Sequence, residues 1–207
     1  MDKLRFMLIG CGRISKNHIA AAAANPDTMT LAVVCDPVRE RAEAKAAMLK
    51  EQAGYEPLIY TDFKKALEEQ EIDCCSIATE SGFHAEIALY CMEHGKNVLV
   101  EKPMALSTAD AEKMIATSEK QQVKLGVCHQ NRFNAPIQQL HKALEDGRFG
   151  KLVNGTARIL WNRTMPYYQQ APWRGTWAQD GGTLMNQCIH NIDLLQWNLG
   201  GEPDTIM

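Results

Sequence analysis

No apolar run in this chain approaches the roughly 18 residues needed to span a bilayer. The N-terminus also lacks the basic-then-apolar order of a secretory signal. A charge imbalance is missing too. The 22 Lys and Arg against 25 Asp and Glu leave a net charge of -3, which gives no footing for nucleic acid or an anionic membrane as partner. The seven cysteines are an odd number and form no C-x-x-C. Cys35, Cys74, Cys75 and Cys128 instead sit in or at the ends of apolar runs, where free cysteine packs as a small hydrophobe. These absences argue against a metal site or disulfide framework and lead to an expectation of reduced thiols in a cytoplasmic setting. Internal repeats and low-complexity tracts are absent as well. What remains is an ordinary globular composition, 45% apolar and 23% charged, in 207 residues, enough for one large domain or one and a half.

The chain is organised around LRFMLIGCGRISKNH, Leu4 to His18. Leu4 and the run Phe6 to Ile9 read as a strand buried on both faces of a parallel sheet. Gly10-Cys11-Gly12 makes a tight turn, and Ile14 to Ala24 reads as an alanine-rich helix. Strand, glycine turn and helix in that order aim unpaired N–H groups and the positive helix end at a pyrophosphate. Gly10 permits the turn, and Gly12 lets backbone approach phosphate. The third fingerprint position is Ser15, small but not glycine. A second apolar run, Met29 to Cys35, ends at Asp36, whose carboxylate is placed to hold a ribose 2′-OH. That residue favours NAD over NADP, although Arg39 and Arg41 nearby leave room for a 2′-phosphate.

Strand-like and helical runs then alternate, as a doubly wound α/β fold requires. A helix is expected over Val38 to Gln52 and a strand at Leu58-Ile59-Tyr60. Thr61 is expected to cap a helix from Asp62 to Glu69. The strand Cys74 to Thr79 leads through small residues to a helix from about His84 to His94. The strand Asn97 to Val100 closes on Glu101-Lys102-Pro103. Ser107, with Asp110, suggests a capping box for a helix reaching about Gln121, and Lys124 to Cys128 is a last strand. Ligands of such sheets lie outside the carboxyl ends of the strands, so Gly10, Asp36, Thr79 and Glu101-Lys102 share one rim.

A second region begins near Asn131. Ala135 to Glu145 reads as a helix, Leu152 to Trp161 as an antiparallel strand with one exposed face, and Asn162 to Gln179 as an aromatic loop. After Gly181-Gly182-Thr183 a helix runs from Leu184 to about Asn198. Asn186, His190 and Asp193 sit on one of its faces, at i, i+4 and i+7. A further element is expected to begin at Glu202 to Met207, so the fold is expected to be incomplete within these residues. The strand from Leu152 would then expose unpaired backbone.

Lys102, at a strand end beside the expected nicotinamide, can orient a substrate hydroxyl and relay its proton. His190 supplies an acceptor near neutral pH. One histidine and one aspartate at i+3 make no zinc site. Trp173-Arg174, in the aromatic loop, suits a bidentate clamp on a phosphate or carboxylate.

Taken together, Gly10-Cys11-Gly12-Arg13-Ile14, Thr79 to His84, Glu101-Lys102-Pro103, Gln130-Asn131-Arg132-Phe133 and Gly181-Gly182 through His190 resemble the glucose–fructose oxidoreductase/inositol dehydrogenase family over the whole chain. The resemblance implies an NAD-binding Rossmann domain over residues 1–128. Residues 129–207 would then open an incomplete C-terminal α/β domain with a mostly antiparallel sheet, for substrate binding and oligomerisation. It implies Lys102 and His190 as catalytic residues. For the cofactor it implies Gly10, Gly12, Arg13, Ile14, Asp36, Thr79, Ser81, His84, Glu101, Lys102, Asn131, Trp173 and Arg174. Lys102, Arg163, Tyr168, Asn186 and His190 would face the substrate, with no metal. Asn186 stands where many members carry aspartate and cannot take a proton, which leaves the histidine as base. The bond before Pro103 is expected to be cis. The stretch from Tyr167 to Leu195 is similar to the branch that oxidises the 3-hydroxyl of UDP-N-acetylglucosaminuronate. Dehydrogenases of free polyols or aldoses, or a non-catalytic dinucleotide-binding fragment, are the alternatives. Expected partners are a small carbohydrate or sugar nucleotide and, in the complete protein, further copies of the chain.

Overall fold

In the computed structural model, residues 3–201 and Thr205 are described, and they divide into two compact units between Val127 and Cys128. The first unit is built on six parallel strands: β1 (Leu4–Ile9), β2 (Met29–Cys35), β3 (Leu58–Tyr60), β4 (Cys74–Ile77), β5 (Asn97–Val100) and β6 (Leu125–Val127). Their order across the sheet is β3-β2-β1-β4-β5-β6, the doubly wound arrangement whose switch point falls between β1 and β4. Between them run α1 (Ser15–Ala24), α2 (Arg39–Ala53), α3 (Phe63–Glu69), α4 (His84–Glu93) and α5 (Thr108–Gln121).

The strands read as continuous apolar runs because both faces of the sheet are covered. Side chains alternate along β1, so Met7 and Ile9 join one core with Ile77, Ala88, Met92, Val100 and Met114. Leu8 faces the other way, onto Ile19 and Ala22 of α1 and Ala42 and Leu49 of α2. Each fully buried leucine, isoleucine or methionine contributes about 1.5–3 kcal/mol, and Met7, Leu8, Ile19, Leu49, Met92 and Met114 are all enclosed.

Local signals set the element ends, with small differences from expectation. The cap of α3 is Asp62 rather than Thr61. Its carboxylate accepts the Lys64 and Lys65 N–H groups, which a threonine one residue earlier could not reach. β4 stops at Ile77, since Ser81–Phe83 form a 3₁₀ turn that leads into α4. Ser107 caps α5 by accepting the Asp110 N–H, and its own hydroxyl donates to the Asp110 carboxylate.

The second unit departs further from expectation. It contains α6 (Ala135–Glu145), the short α7 (Met165–Tyr168) inside the aromatic loop, a π-helical turn at Leu184–Cys188 and α8 (Ile189–Leu199). No strand forms over Leu152 to Trp161, and the described residues of this unit hold no antiparallel sheet. A strand needs a neighbour's backbone, and none of the described residues pairs with this segment. It lies against α8 instead, where a Cβ on Gly155 would come within 2.8 Å of Leu199. Val153 and Leu160 are 92% and 85% exposed. The helix expected from Leu184 opens with the wider π turn, which alters the assumed i, i+4 spacing of Asn186 and His190. The element expected from Glu202 to Met207 falls almost wholly outside the described residues. Among those described, no helix is long and apolar enough to cross a membrane.

Candidate functional site

The carboxyl ends of β1, β2, β4 and β5 gather the expected rim within the first unit. At Gly10, φ is +94°, and a Cβ there would stand 2.7 Å from the Ala78 carbonyl and the Thr79 nitrogen. The close approach of β1 to β4 therefore admits only glycine. At Gly12 a Cβ would meet nothing within 4 Å, so this turn is bare on its open side. The Ser15 hydroxyl donates to the Gly12 carbonyl at 2.6 Å, and Ile14 caps α1 without a side-chain bond. The partly buried Ile14 side chain packs against the core beside α1, and Arg13 is exposed.

Asp36 is buried. Its Oδ2 accepts the Cys11 N–H at 2.8 Å and its Oδ1 the Val38 N–H at 2.9 Å, which ties the glycine turn to the end of β2. Each carboxylate oxygen keeps a lone pair for a diol. Burial first, and the charge of Asp36 second, push the Cys11 and Cys35 thiols up to about 12. They stay protonated and inert, and all seven cysteines are free. Arg39, the arginine closest to Asp36 in sequence, pairs with Glu43 at 2.8 Å on the helix surface.

A buried chain of polar groups, not foreseen from the sequence, underlies Glu101-Lys102. His18 of α1 places Nε2 3.1 Å from Glu101 Oε1, while its Nδ1 lies 2.8 Å from the Ser76 hydroxyl of β4. With the Nε2 proton given to the carboxylate, Nδ1 accepts from Ser76. Burial alone would raise the Glu101 pKa. The hydrogen bond and charge of His18, with the backbone N–H and charge of Lys102, outweigh it and hold the carboxyl below the usual range. The Lys102 N–H donates to Glu101 Oε2 at 3.3 Å, and the Lys102–Pro103 bond is cis. A lone histidine on the alanine-rich α1 was the one signal for this network.

His84 is 1% exposed and bridges two rim loops. Its Nδ1–H donates to the Pro103 carbonyl at 2.7 Å, and its Nε2 lies 3.2 Å from the Thr79 carbonyl. Burial, opposed by the pull of both carbonyls, lowers its pKa below the ordinary histidine value. Ser81 is buried at the start of the turn before it.

The remaining candidates belong to the second unit. Asn186, in the π turn, and His190, in the first turn of α8, are both buried. The His129 ring meets the His190 ring edge-on at 5.9 Å. Asp193 is held by a bidentate pair with Arg132, one arm of which is Nε to Oδ2 at 2.8 Å. This pair also raises the Arg132 pKa. It joins α8 to the 3₁₀ turn Gln130–Phe133 that carries Asn131. Arg163 and Arg174 stack on the Tyr167 ring at 5.0 and 4.5 Å, and Arg174 also lies over Trp173 at 4.7 Å. Arg174 donates to the Tyr167 hydroxyl at 2.7 Å. Neither arginine has a carboxylate partner among the described residues. Tyr168 meets Tyr167 edge-on. Lys102 and His190 thus come from different units, each with its own assembled surroundings.

The rim of the first unit has what a dinucleotide needs: an open glycine turn at a helix start, and a fixed carboxylate at the end of the next strand. The comparisons agree. Residues 4–129 match the oxidoreductase family with an NAD-binding Rossmann fold, and residues 137–207 match a GFO/IDH/MocA C-terminal domain. A WlbA dehydrogenase from Bordetella pertussis, solved with NADH and UDP-GlcNAcA, is 40% identical with a TM-score of 0.89, over 96% of this chain and 60% of that one. Its counterpart from Chromobacterium violaceum, solved with the same two ligands, is 37% identical with a TM-score of 0.84, over 96% and 56%. A myo-inositol 2-dehydrogenase from Thermotoga maritima is 26% identical over 98% of this chain and 57% of its own length. The chain thus spans a little over half the length of these relatives.

Proposed function

Because the chain belongs to the GFO/IDH/MocA oxidoreductase family and carries its NAD-binding Rossmann domain, we propose that the full-length protein transfers a hydride from a sugar hydroxyl to NAD. The sugar is a UDP-N-acetylglucosaminuronate-type nucleotide, and the reacting carbon is C3. NAD supplies the hydride acceptor. Gly10, Gly12, Arg13 and the Ile14 backbone serve its pyrophosphate and Asp36 its ribose. Thr79, Ser81 and Glu101 border its nicotinamide end, with His84 holding the loops. Asn131, Trp173 and Arg174 complete the cofactor contacts from the second unit. Lys102 orients the hydroxyl, and His190 takes its proton as the carbon loses hydride. Asn186 positions the substrate, while Tyr168 and Arg163 hold its remote part.

The observation that carries the choice of substrate is Arg163, stacked on the Tyr167 ring. A guanidinium without a carboxylate partner among the described residues, and not given to the cofactor, suits an anionic group of the substrate. A free polyol offers it nothing. The kinship with the WlbA dehydrogenases supports the same choice, and kinship with the inositol dehydrogenases supports the polyol alternative. The test is NADH formation by the full-length protein with UDP-GlcNAcA and with myo-inositol. The proposal expects turnover with the sugar nucleotide, and turnover with inositol alone would reverse it.

A further inference from the structure

The second unit encloses a carboxylate that hydride transfer does not use. Asp180 is 4% exposed. Its Oδ2 accepts the Gly175 N–H at 2.8 Å, and its own N–H donates to the Thr176 carbonyl at 3.0 Å. One oxygen is enough to close this loop. The other, Oδ1, accepts no hydrogen bond from any described residue. A buried acceptor stripped of water without replacement is costly, and more so in a carboxylate.

Asp180 lines a cavity of about 210 Å³ with Tyr168, Gly175, Gly182, Thr183 and Gln187. Sites for whole drug-sized ligands run from roughly 300 to 1,000 Å³, so this one takes a single group of a larger molecule. Glycine keeps it open: a Cβ would come 3.2 Å from Tyr168 at Gly175 and 3.1 Å from Trp177 at Gly182. The Gln187 amide is already committed. Its Oε1 accepts from Arg163 at 3.0 Å and its Nε2 donates to the Tyr167 hydroxyl at 2.7 Å. Asp180 is the only carboxylate in the lining, and it repels phosphate and uronate groups alike. The cavity therefore disfavours an anionic group and favours a hydrogen-bond donor, which in a sugar is a hydroxyl or an amide N–H.

We infer that Asp180 is a specificity-determining residue whose Oδ1 accepts a hydrogen bond from a hydroxyl or amide N–H of the sugar. This rests on the reading that the second unit binds the sugar. Asp180→Asn separates the two roles of the side chain, because an amide oxygen still accepts from Gly175 while the NH₂ group cannot accept from the ligand. The experiment titrates UDP-GlcNAcA, and separately myo-inositol, into the full-length protein loaded with NADH, for wild type and D180N. NADH affinity and melting temperature of the variant are measured alongside.

D180N is expected to weaken the sugar ligand about 10- to 100-fold, the loss of one hydrogen bond to a charged group, with NADH binding and melting temperature unchanged. Equal sugar affinity in both proteins overturns the inference and leaves the proposed substrate standing. If wild type binds inositol but not the nucleotide, the substrate reading falls. Asp180 is then judged by the same comparison on inositol. A wild type that binds neither, or a D180N that loses its fold, assigns Asp180 to the loop alone and overturns the inference.

Discussion

The first unit encloses an apolar core on both faces of its sheet, whereas beyond Val127 the only enclosed apolar side chain among the described residues is Cys188. What the second unit buries is mostly polar: Asp180, Asn186 and His190. The same contrast runs through their sites. In the first, the groups proposed to face ligand are largely backbone held by strand ends, fixed by buried partners such as Asp36 on Cys11 and His18 on Glu101. In the second they are side chains, stacked arginines and a histidine on a helix that opens with a π turn. A backbone cradle suits a cofactor shared by a whole family, because it depends little on side-chain identity. Side-chain chemistry suits a substrate that must be told from its relatives.

Replacing the acid–base groups sharpens this division most. His190→Ala and Lys102→Ala in the full-length protein are each expected to lower turnover by roughly 10²–10⁴-fold. NAD affinity measured by titration stays near wild type. Asn186→Ala lowers turnover less, since it positions without exchanging a proton. Next come the two glycines of the cradle. Gly10→Ala forces a Cβ to 2.7 Å from the Ala78 backbone at positive φ, and is expected to cost about 2–4 kcal/mol in denaturant unfolding. Gly12→Ala meets open space in the protein, so its stability stays within about 0.5 kcal/mol while NAD affinity falls. Equal melting of the two variants would break the account of the turn.

The smallest effect is in pH. The folded-state pKa of His84 lies below its unfolded value, so the unfolded chain takes up that proton first as pH falls. The stability this residue contributes is complete above about pH 6.5 and is lost as pH drops through the folded value. Glu101, also depressed, contributes above the ordinary carboxylate range and loses that contribution in acid. His84→Gln removes only the near-neutral part, which thermal melts across pH would detect. A variant with the wild-type pH profile would show that the ring does not titrate on unfolding.

Much of the first unit was readable because its signals are local. The apolar runs of β1 and β2 needed burial on both faces, and Gly10, Asp36 and Glu101 each follow directly on a strand, with Lys102 one residue further. The His18–Ser76–Glu101 chain was not readable, because it joins residues 58 and 83 positions apart whose types alone imply no contact. His84 was expected among the cofactor contacts; that its ring nitrogens lie at the Pro103 and Thr79 carbonyls is a constraint only the fold reveals. In the second unit the alternation from Leu152 to Trp161 suggested a strand, but pattern supplies no partner backbone. The π turn at Leu184–Cys188 leaves no mark in composition. The burial of Asp180, next to Gly181-Gly182, likewise leaves no mark in the sequence.

The central claim of the proposal is that the full-length protein moves a hydride from C3 of the sugar nucleotide to NAD. Deuterium transfer tests it most directly. The full-length protein is incubated with NAD and UDP-GlcNAcA carrying deuterium at C3, and the cofactor is analysed by mass spectrometry. The account predicts deuterium in the reduced cofactor, with transfer lost in His190→Ala. Reduced cofactor without label, or label retained on the sugar with NAD unchanged, would contradict it.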